Sequence, residues 1–172
     1  FRVAPSTRVV GCRALSGWSQ TEVAHPERSL VGLKADEFRA VAQELECRST
    51  PHLGVEAIRA RRLQIARLRA YADAGIFTIN TDFPDRSISY FRDRFGTHCA
   101  MAHLLDTGGG RRVLEKLIAA NNNAFVAQIE PWNELDEWLS RNGLTLEDIA
   151  LIQAPSIIDP TINPPPPVTN PM

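Results

Sequence analysis

Apolar residues recur every three or four positions over long stretches of this chain, with polar residues between them. Such spacing puts the apolar side chains on one face of a helix and is typical of helices that pack against a core. The clearest segments are 36–48, 54–74 and 131–141. The pattern therefore predicts a mainly α protein, a compact bundle of about five short to medium helices.

Capping signals predict where individual helices begin. Thr97 is placed to cap a short helix over 98–106. Thr145, followed three residues later by Asp148, imitates a capping box at the start of the last helix. Between the helices, residues 89–95 are compatible with one small β-hairpin.

The chain divides into three regions by composition. Residues 1–34 hold scattered glycine, proline and serine without a sustained period, so they predict an irregular N-terminal arm. Residues 35–155 form the helical domain. Residues 156–172 include a run of four prolines, which favours an extended, polyproline-like tail over a helix.

Composition supports one folded domain and excludes several functions. The chain has 172 residues, of which 44% are hydrophobic and 23% charged, as in ordinary globular proteins. Its formal net charge of -1 provides no general attraction to nucleic acid. No apolar run reaches the ~20 residues of a membrane-spanning helix. We expect no nucleic-acid partner and no transmembrane segment, while peripheral association with a membrane complex stays open.

Three cysteines, Cys12, Cys47 and Cys99, lie far apart and match no zinc or haem spacing. We therefore expect no metal and no cofactor. In a reducing compartment all three are free thiols, whereas in an exported protein one pair can form a disulfide. The spacing leaves the pairing open. Because the chain starts at Phe1, a leader or anchor ahead of it also stays open.

Cys99 is the first candidate for catalysis. Its predicted place near the start of a helix favours the thiolate, and His103 follows four residues later on the same face. His98 is the alternative base, and Asp93 or Asp106 would orient it. A thiol-dependent hydrolase or transferase is thus one hypothesis, and an inert buried thiol is the simpler interpretation of Cys99.

A further hypothesis concerns Gly108–Gly110, which precedes Arg111 and Arg112. The backbone amides of a glycine run at a helix start can bind a small anion. This run lacks the spacing and the Lys-Ser/Thr ending of a phosphate-binding loop. The sequence therefore allows a small anion-binding module without favouring it.

Three segments follow one another in a recognisable succession: RRLQIARLRAYADAG, FRDRFGTHCAMAHLL and ELDEWLSRNGLTLEDIALIQ. The positions that carry it are Asp93, Gly96, Cys99, Ala100, Trp138, Leu139, Gly143, Leu144 and Thr145. This succession resembles an uncharacterised bacterial domain found in exported proteins. The resemblance implies one domain and an exported location, and it brings no activity with it.

Together these observations favour a noncatalytic accessory subunit over an enzyme. The chain carries no motif of high specificity, and its two terminal regions have no core of their own. We expect the protein to dock on a larger protein assembly through its extended termini. The expected location is the periplasm or another exported compartment, with the cytoplasm as the alternative.

Overall fold

The computed structural model of the protein describes residues 29–83, 85–129 and 132–157. These residues form six α-helices and one 3₁₀ turn: α1 Leu30–Cys47, α2 Val55–Ala74, α3 Ala100–Thr107, α4 Arg111–Asn121, the 3₁₀ turn Val126–Gln128, α5 Asn133–Arg141 and α6 Leu146–Ile152. The predicted mainly α fold class is confirmed. Most of the predicted N-terminal arm and C-terminal tail lies outside the described residues.

The two longest helices, α1 and α2, form an antiparallel pair that we call the helical hairpin. α1 begins earlier than the predicted 36–48 because the Ser29 hydroxyl accepts a hydrogen bond from the Gly32 amide at 3.1 Å, which caps the helix. The helical domain therefore starts before the predicted boundary at residue 35. α2 ends at Gly75, whose left-handed φ of 64° closes the helix.

The core lies where the other helices pack on the hairpin. An aromatic cluster of Phe38, Tyr71 and Phe77 joins α1 to α2 and to the chain that follows, with ring centroids 5.3–5.4 Å apart. Trp138 of α5 is fully buried, and its indole nitrogen donates to the Gly108 carbonyl at 3.0 Å. No helix among the described residues is both long enough and apolar enough to cross a membrane.

The connection over 76–99 contains no strand among its described residues. In place of the hairpin predicted at 89–95, one antiparallel bridge joins Arg92 to His98 around a tight turn. The side chain of Asp93 explains the difference, because it accepts hydrogen bonds from the amides of Phe95 and Thr97, both at 2.9 Å. These amides therefore bond locally instead of to a neighbouring strand.

One end of the helical hairpin is closed by a buried charge cluster. The Arg61 guanidinium lies 2.5 Å from the Asp148 carboxylate and also donates to the carbonyls of Leu45 and Gly143 at 3.0 and 2.7 Å. Arg48 contacts the second Asp148 oxygen at 3.0 Å. The side chains of Arg61 and Asp148 are only 7% and 2% exposed.

Asp148 also completes the capping box predicted from the sequence. Its carboxylate accepts from the Thr145 amide at 3.1 Å, and the Thr145 hydroxyl accepts from the Asp148 amide at 3.2 Å. Burial acts to raise the pKa of Asp148, but the hydrogen bonds and charge of Arg61, the Thr145 amide and Arg48 outweigh it and lower the pKa. The carboxylate is therefore ionised in the folded protein near neutral pH.

Candidate functional site

Cys99, the first sequence candidate, caps α3 instead of lying inside it. The helix begins at Ala100, so Cys99 replaces Thr97 as the cap, and its sulfur accepts a hydrogen bond from the Ala102 amide at 3.5 Å. The side chain is buried, and burial raises the pKa of the thiol to about 11. Because a nucleophilic cysteine reacts as the thiolate, this environment disfavours thiol chemistry near neutral pH.

The candidate acid and base groups make other contacts. His103 packs its ring 5.2 Å from that of Tyr71, and burial lowers its pKa. His98 Nδ1 lies 3.9 Å from Asp106, whose other carboxylate oxygen accepts from Arg111 at 2.8 Å. The His103 amide donates to the Cys99 carbonyl at 2.8 Å, but among the described residues no side-chain hydrogen bond joins the Cys99 thiol to either histidine. The structure thus brings His98 and Asp106 together without connecting them to the thiol.

The glycine run Gly108–Gly110 is explained by packing. The amides of Gly108 and Gly110 already donate to the carbonyls of Leu104 and Leu105, at 2.8 and 2.7 Å. A Cβ atom on Gly110 would lie 2.7 Å from the Trp138 indole nitrogen, so glycine is needed for this close approach. Because two of the three amides are occupied, the anion-binding hypothesis gains no support.

The structure also bears on metal binding and on the cysteines. Nowhere in 29–83, 85–129 or 132–157 do three histidine, cysteine or acidic side chains gather as they would around a metal ion. Cys47 is disulfide-bonded, whereas Cys99 is free. Cys12 lies outside the described residues. The pairing that the sequence left open therefore does not involve the candidate nucleophile.

The feature that stands out is an apolar groove at the end of the helical hairpin opposite the charge cluster. It has a volume of about 500 Å³, within the range of binding cavities. It is formed by the start of α1, the chain just after α2, the 93–97 turn and the last described residue: Leu30, Val31, Gly75, Ile76, Phe77, Ile79, Phe95, Thr97 and Ile157. We call these nine residues the terminal groove.

Large apolar side chains of the terminal groove face solvent. Ile76 is 65% exposed, Phe95 57% and Leu30 53%. None of the nine lining residues is charged. The nearby cation, Arg94, stacks over the Phe95 ring at 4.9 Å from its centroid. Isolated exposed apolar residues are common, but a set gathered around one concave surface is typical of a binding site.

Local structure holds the walls of the groove in place. Asp93, a sequence candidate for catalysis, accepts from the amides of Phe95 and Thr97 on one wall and from the Ile79 amide, at 3.1 Å, on another. Phe77 is anchored in the aromatic cluster below. A parallel bridge joins Ile79 to Ile157, so these two side chains share one face. Asp93 therefore positions groove residues.

Sequence reasoning missed this site. It assigned Leu30 and Val31 to an irregular arm, although they start α1. One signal was available: Ile76 follows Gly75 and Phe95 precedes Gly96, so large apolar residues occupy turn positions where polar residues are usual. Apolar residues beside glycines in turns are thus a hint of an uncovered surface.

No family model, no curated protein and no solved structure matches this chain. The succession that resembles an exported bacterial domain nevertheless has a structural explanation. Asp93 holds a turn, Gly96 adopts a φ of 84°, Cys99 caps α3 and Thr145 caps α6. These positions shape the backbone, and the family resemblance itself stays a prediction.

Proposed function

We propose that this protein is a noncatalytic binding domain that docks on a larger protein assembly through the terminal groove and the terminal segments that adjoin it. The observation that carries the proposal is the groove itself. Its exposed, uncharged side chains surround a cavity of about 500 Å³. Association with a partner that removes this apolar surface from water lowers the free energy of the complex.

The position of the groove supports a role for the termini. Leu30 directly follows the first described residue, and Ile157 is the last one. A standard protein interface uses about 20–30 residues on each side. The nine residues of the groove are fewer than that, so a stable interface requires further contacts. Residues 1–28 and 158–172 are the nearest parts of the chain that can supply them.

The local chemistry supports a noncatalytic role. Cys99 is a buried helix cap with a raised pKa, and Asp93 is engaged by three backbone amides. The resemblance to a domain of exported proteins supports an oxidising compartment, in which a pair of cysteines can form a disulfide. We therefore propose the periplasm, or another exported location, as the site of the assembly. A membrane-associated complex is compatible with this proposal.

A matched pair of variants tests the docking function. Ile76→Glu places a charge in the groove, whereas Leu63→Glu changes an exposed apolar residue of α2 that does not line it. We expect proteins that copurify with the wild type from its native source, and bind it again when purified, to bind Leu63→Glu equally. Their recovery with Ile76→Glu should fall at least about tenfold, corresponding to about 1.4 kcal/mol. Equal recovery with both variants would contradict the proposal.

Thiol reactivity tests the enzyme alternative independently. With a pKa of about 11, Cys99 holds far less thiolate near pH 7.5 than a free thiol of pKa about 8.5. We expect alkylation of Cys99 in the folded protein to be at least about 100-fold slower than that of a free cysteine. Alkylation at or above the free-thiol rate would favour the hydrolase or transferase.

A further inference from the structure

The chain enters the terminal groove in a fixed, extended conformation. The Ile157 amide donates to the Thr78 carbonyl at 2.9 Å, and the Asn80 amide donates to the Ile157 carbonyl at 2.7 Å. Just before it, the Ser156 amide donates to the Ile88 carbonyl at 2.8 Å, and the Ser156 and Thr78 hydroxyls are 2.8 Å apart. The segment that follows Ile157 therefore starts from a held position within the groove.

The composition of residues 158–172 matches the groove. This segment carries one charged side chain, Asp159, together with six prolines and the apolar residues Ile158, Ile162, Val168 and Met172. Residues 1–28 lead into α1 beside the groove, but this segment carries six charged side chains. Covering an uncharged surface with a charged segment costs desolvation energy. The C-terminal segment is therefore the better occupant.

The segment is also long enough to reach across the groove. Fifteen residues in a polyproline-type helix rise about 3.1 Å each and extend about 46 Å. This is more than the roughly 30 Å of the 20-residue helix α2, and the groove occupies only one end of the helical hairpin. Proline-rich segments dock in grooves that contain aromatic rings, since their extended form is already preferred before binding. Phe95, which is 57% exposed, provides such a ring in the terminal groove, and the largely buried Phe77 lies beneath it in the lining.

We propose that residues 158–172 fold back and cover the terminal groove in the free protein, so that a docking partner must displace them. A segment tethered at the groove has an effective concentration on the order of 1 mM, which makes even weak contacts competitive. The inference rests on the proposed function in treating the groove as a docking surface. Its test uses purified protein alone, so its failure leaves the partner experiment unaffected.

The experiment uses a fluorescent synthetic peptide of residues 158–172 and the 172-residue protein with its variants. In one variant, Ile162→Asp and Val168→Asp weaken the intramolecular segment. We expect the peptide to bind this double variant in fluorescence anisotropy and to bind the wild type at least about tenfold more weakly. An effective concentration of about 1 mM has this effect on a peptide whose Kd is about 0.1 mM.

Further variants locate the binding surface. Added to the double variant, Ile76→Glu should abolish peptide binding, and Leu63→Glu should leave it unchanged. Equal affinity for the wild type and the double variant, or no binding to either, would overturn the inference. Stronger binding of a peptide of residues 13–28 would overturn it in favour of the N-terminal segment. Self-association of the wild type that Ile76→Glu removes would overturn it in favour of a second copy of the chain.

Discussion

The two ends of the helical hairpin differ in polarity and burial: one end contains a buried ion pair, and the other contains exposed apolar side chains. At the closed end, Arg61 and Asp148 are almost fully buried and hydrogen-bonded to each other and to neighbouring carbonyl or amide groups. At the open end, Ile76 and Phe95 expose more than half of their surface around an uncharged groove. The buried ion pair favours the one arrangement of helices in which both charges keep their partners. The exposed apolar side chains instead favour association with a segment or partner that removes them from water. We therefore expect stability to depend mainly on the closed end, and the proposed docking to depend on the open end.

The largest expected effect is at the closed end. Asp148→Asn removes the charge that compensates Arg61 while keeping a side chain of similar size. Losing one partner of a buried ion pair costs about 3–5 kcal/mol, and we expect the free energy of unfolding in urea to fall by that amount. Asp73→Asn, at the exposed pair with Arg39, is the matched control and should leave the free energy of unfolding nearly unchanged, because solvent screens an exposed ion pair.

The pH dependence of this effect checks its electrostatic origin. The folded-state pKa of Asp148 is lowered, so its contribution is fully present above the unfolded pKa of about 3.9 and is lost as pH falls through the folded-state value. The stability difference between the wild type and Asp148→Asn should therefore be constant near neutral pH and shrink below about pH 4. A difference that persists unchanged at lower pH would indicate a packing effect instead.

A second change tests how tightly the closed end is packed. Gly143 has a φ of 62°, and a Cβ atom there would lie 2.5 Å from the Ala57 carbonyl oxygen of α2. Gly143→Ala therefore combines backbone strain with a clash, and we expect a loss of about 2–4 kcal/mol in thermal or urea unfolding.

Gly96→Ala provides the control for this substitution. Gly96 lies in the turn that carries Phe95 and has a φ of 84°, but a Cβ atom there meets nothing within 4 Å. Its loss should be limited to the backbone term of about 1–2 kcal/mol. If both substitutions cost the same, close packing of the closed end would not contribute to stability as we infer.

The sequence predicted the helices better than it predicted either end. Local signals were sufficient for 54–74 and for the Thr145–Asp148 capping box, because spacing and capping depend on neighbouring residues. The Arg61–Asp148 pair joins residues 87 positions apart, and no local pattern specifies which arginine of α2 turns inward. The terminal groove likewise combines four separate segments. Only the tertiary fold brings such residues together.

The smallest expected effect is at the open end, and it completes the comparison. Ile76→Glu alters a side chain that is 65% exposed, so the free energy of unfolding should change by less than about 1 kcal/mol. Its neighbour Phe77 is buried in the aromatic cluster, and Phe77→Ala should cost about 3–5 kcal/mol. Urea unfolding of both variants makes this measurement. If Ile76→Glu loses association with the partner but keeps the wild-type free energy of unfolding, the groove contributes to binding and not to folding. If Ile76→Glu instead destabilises the protein as much as Asp148→Asn, the groove is part of the folded core and not a docking surface.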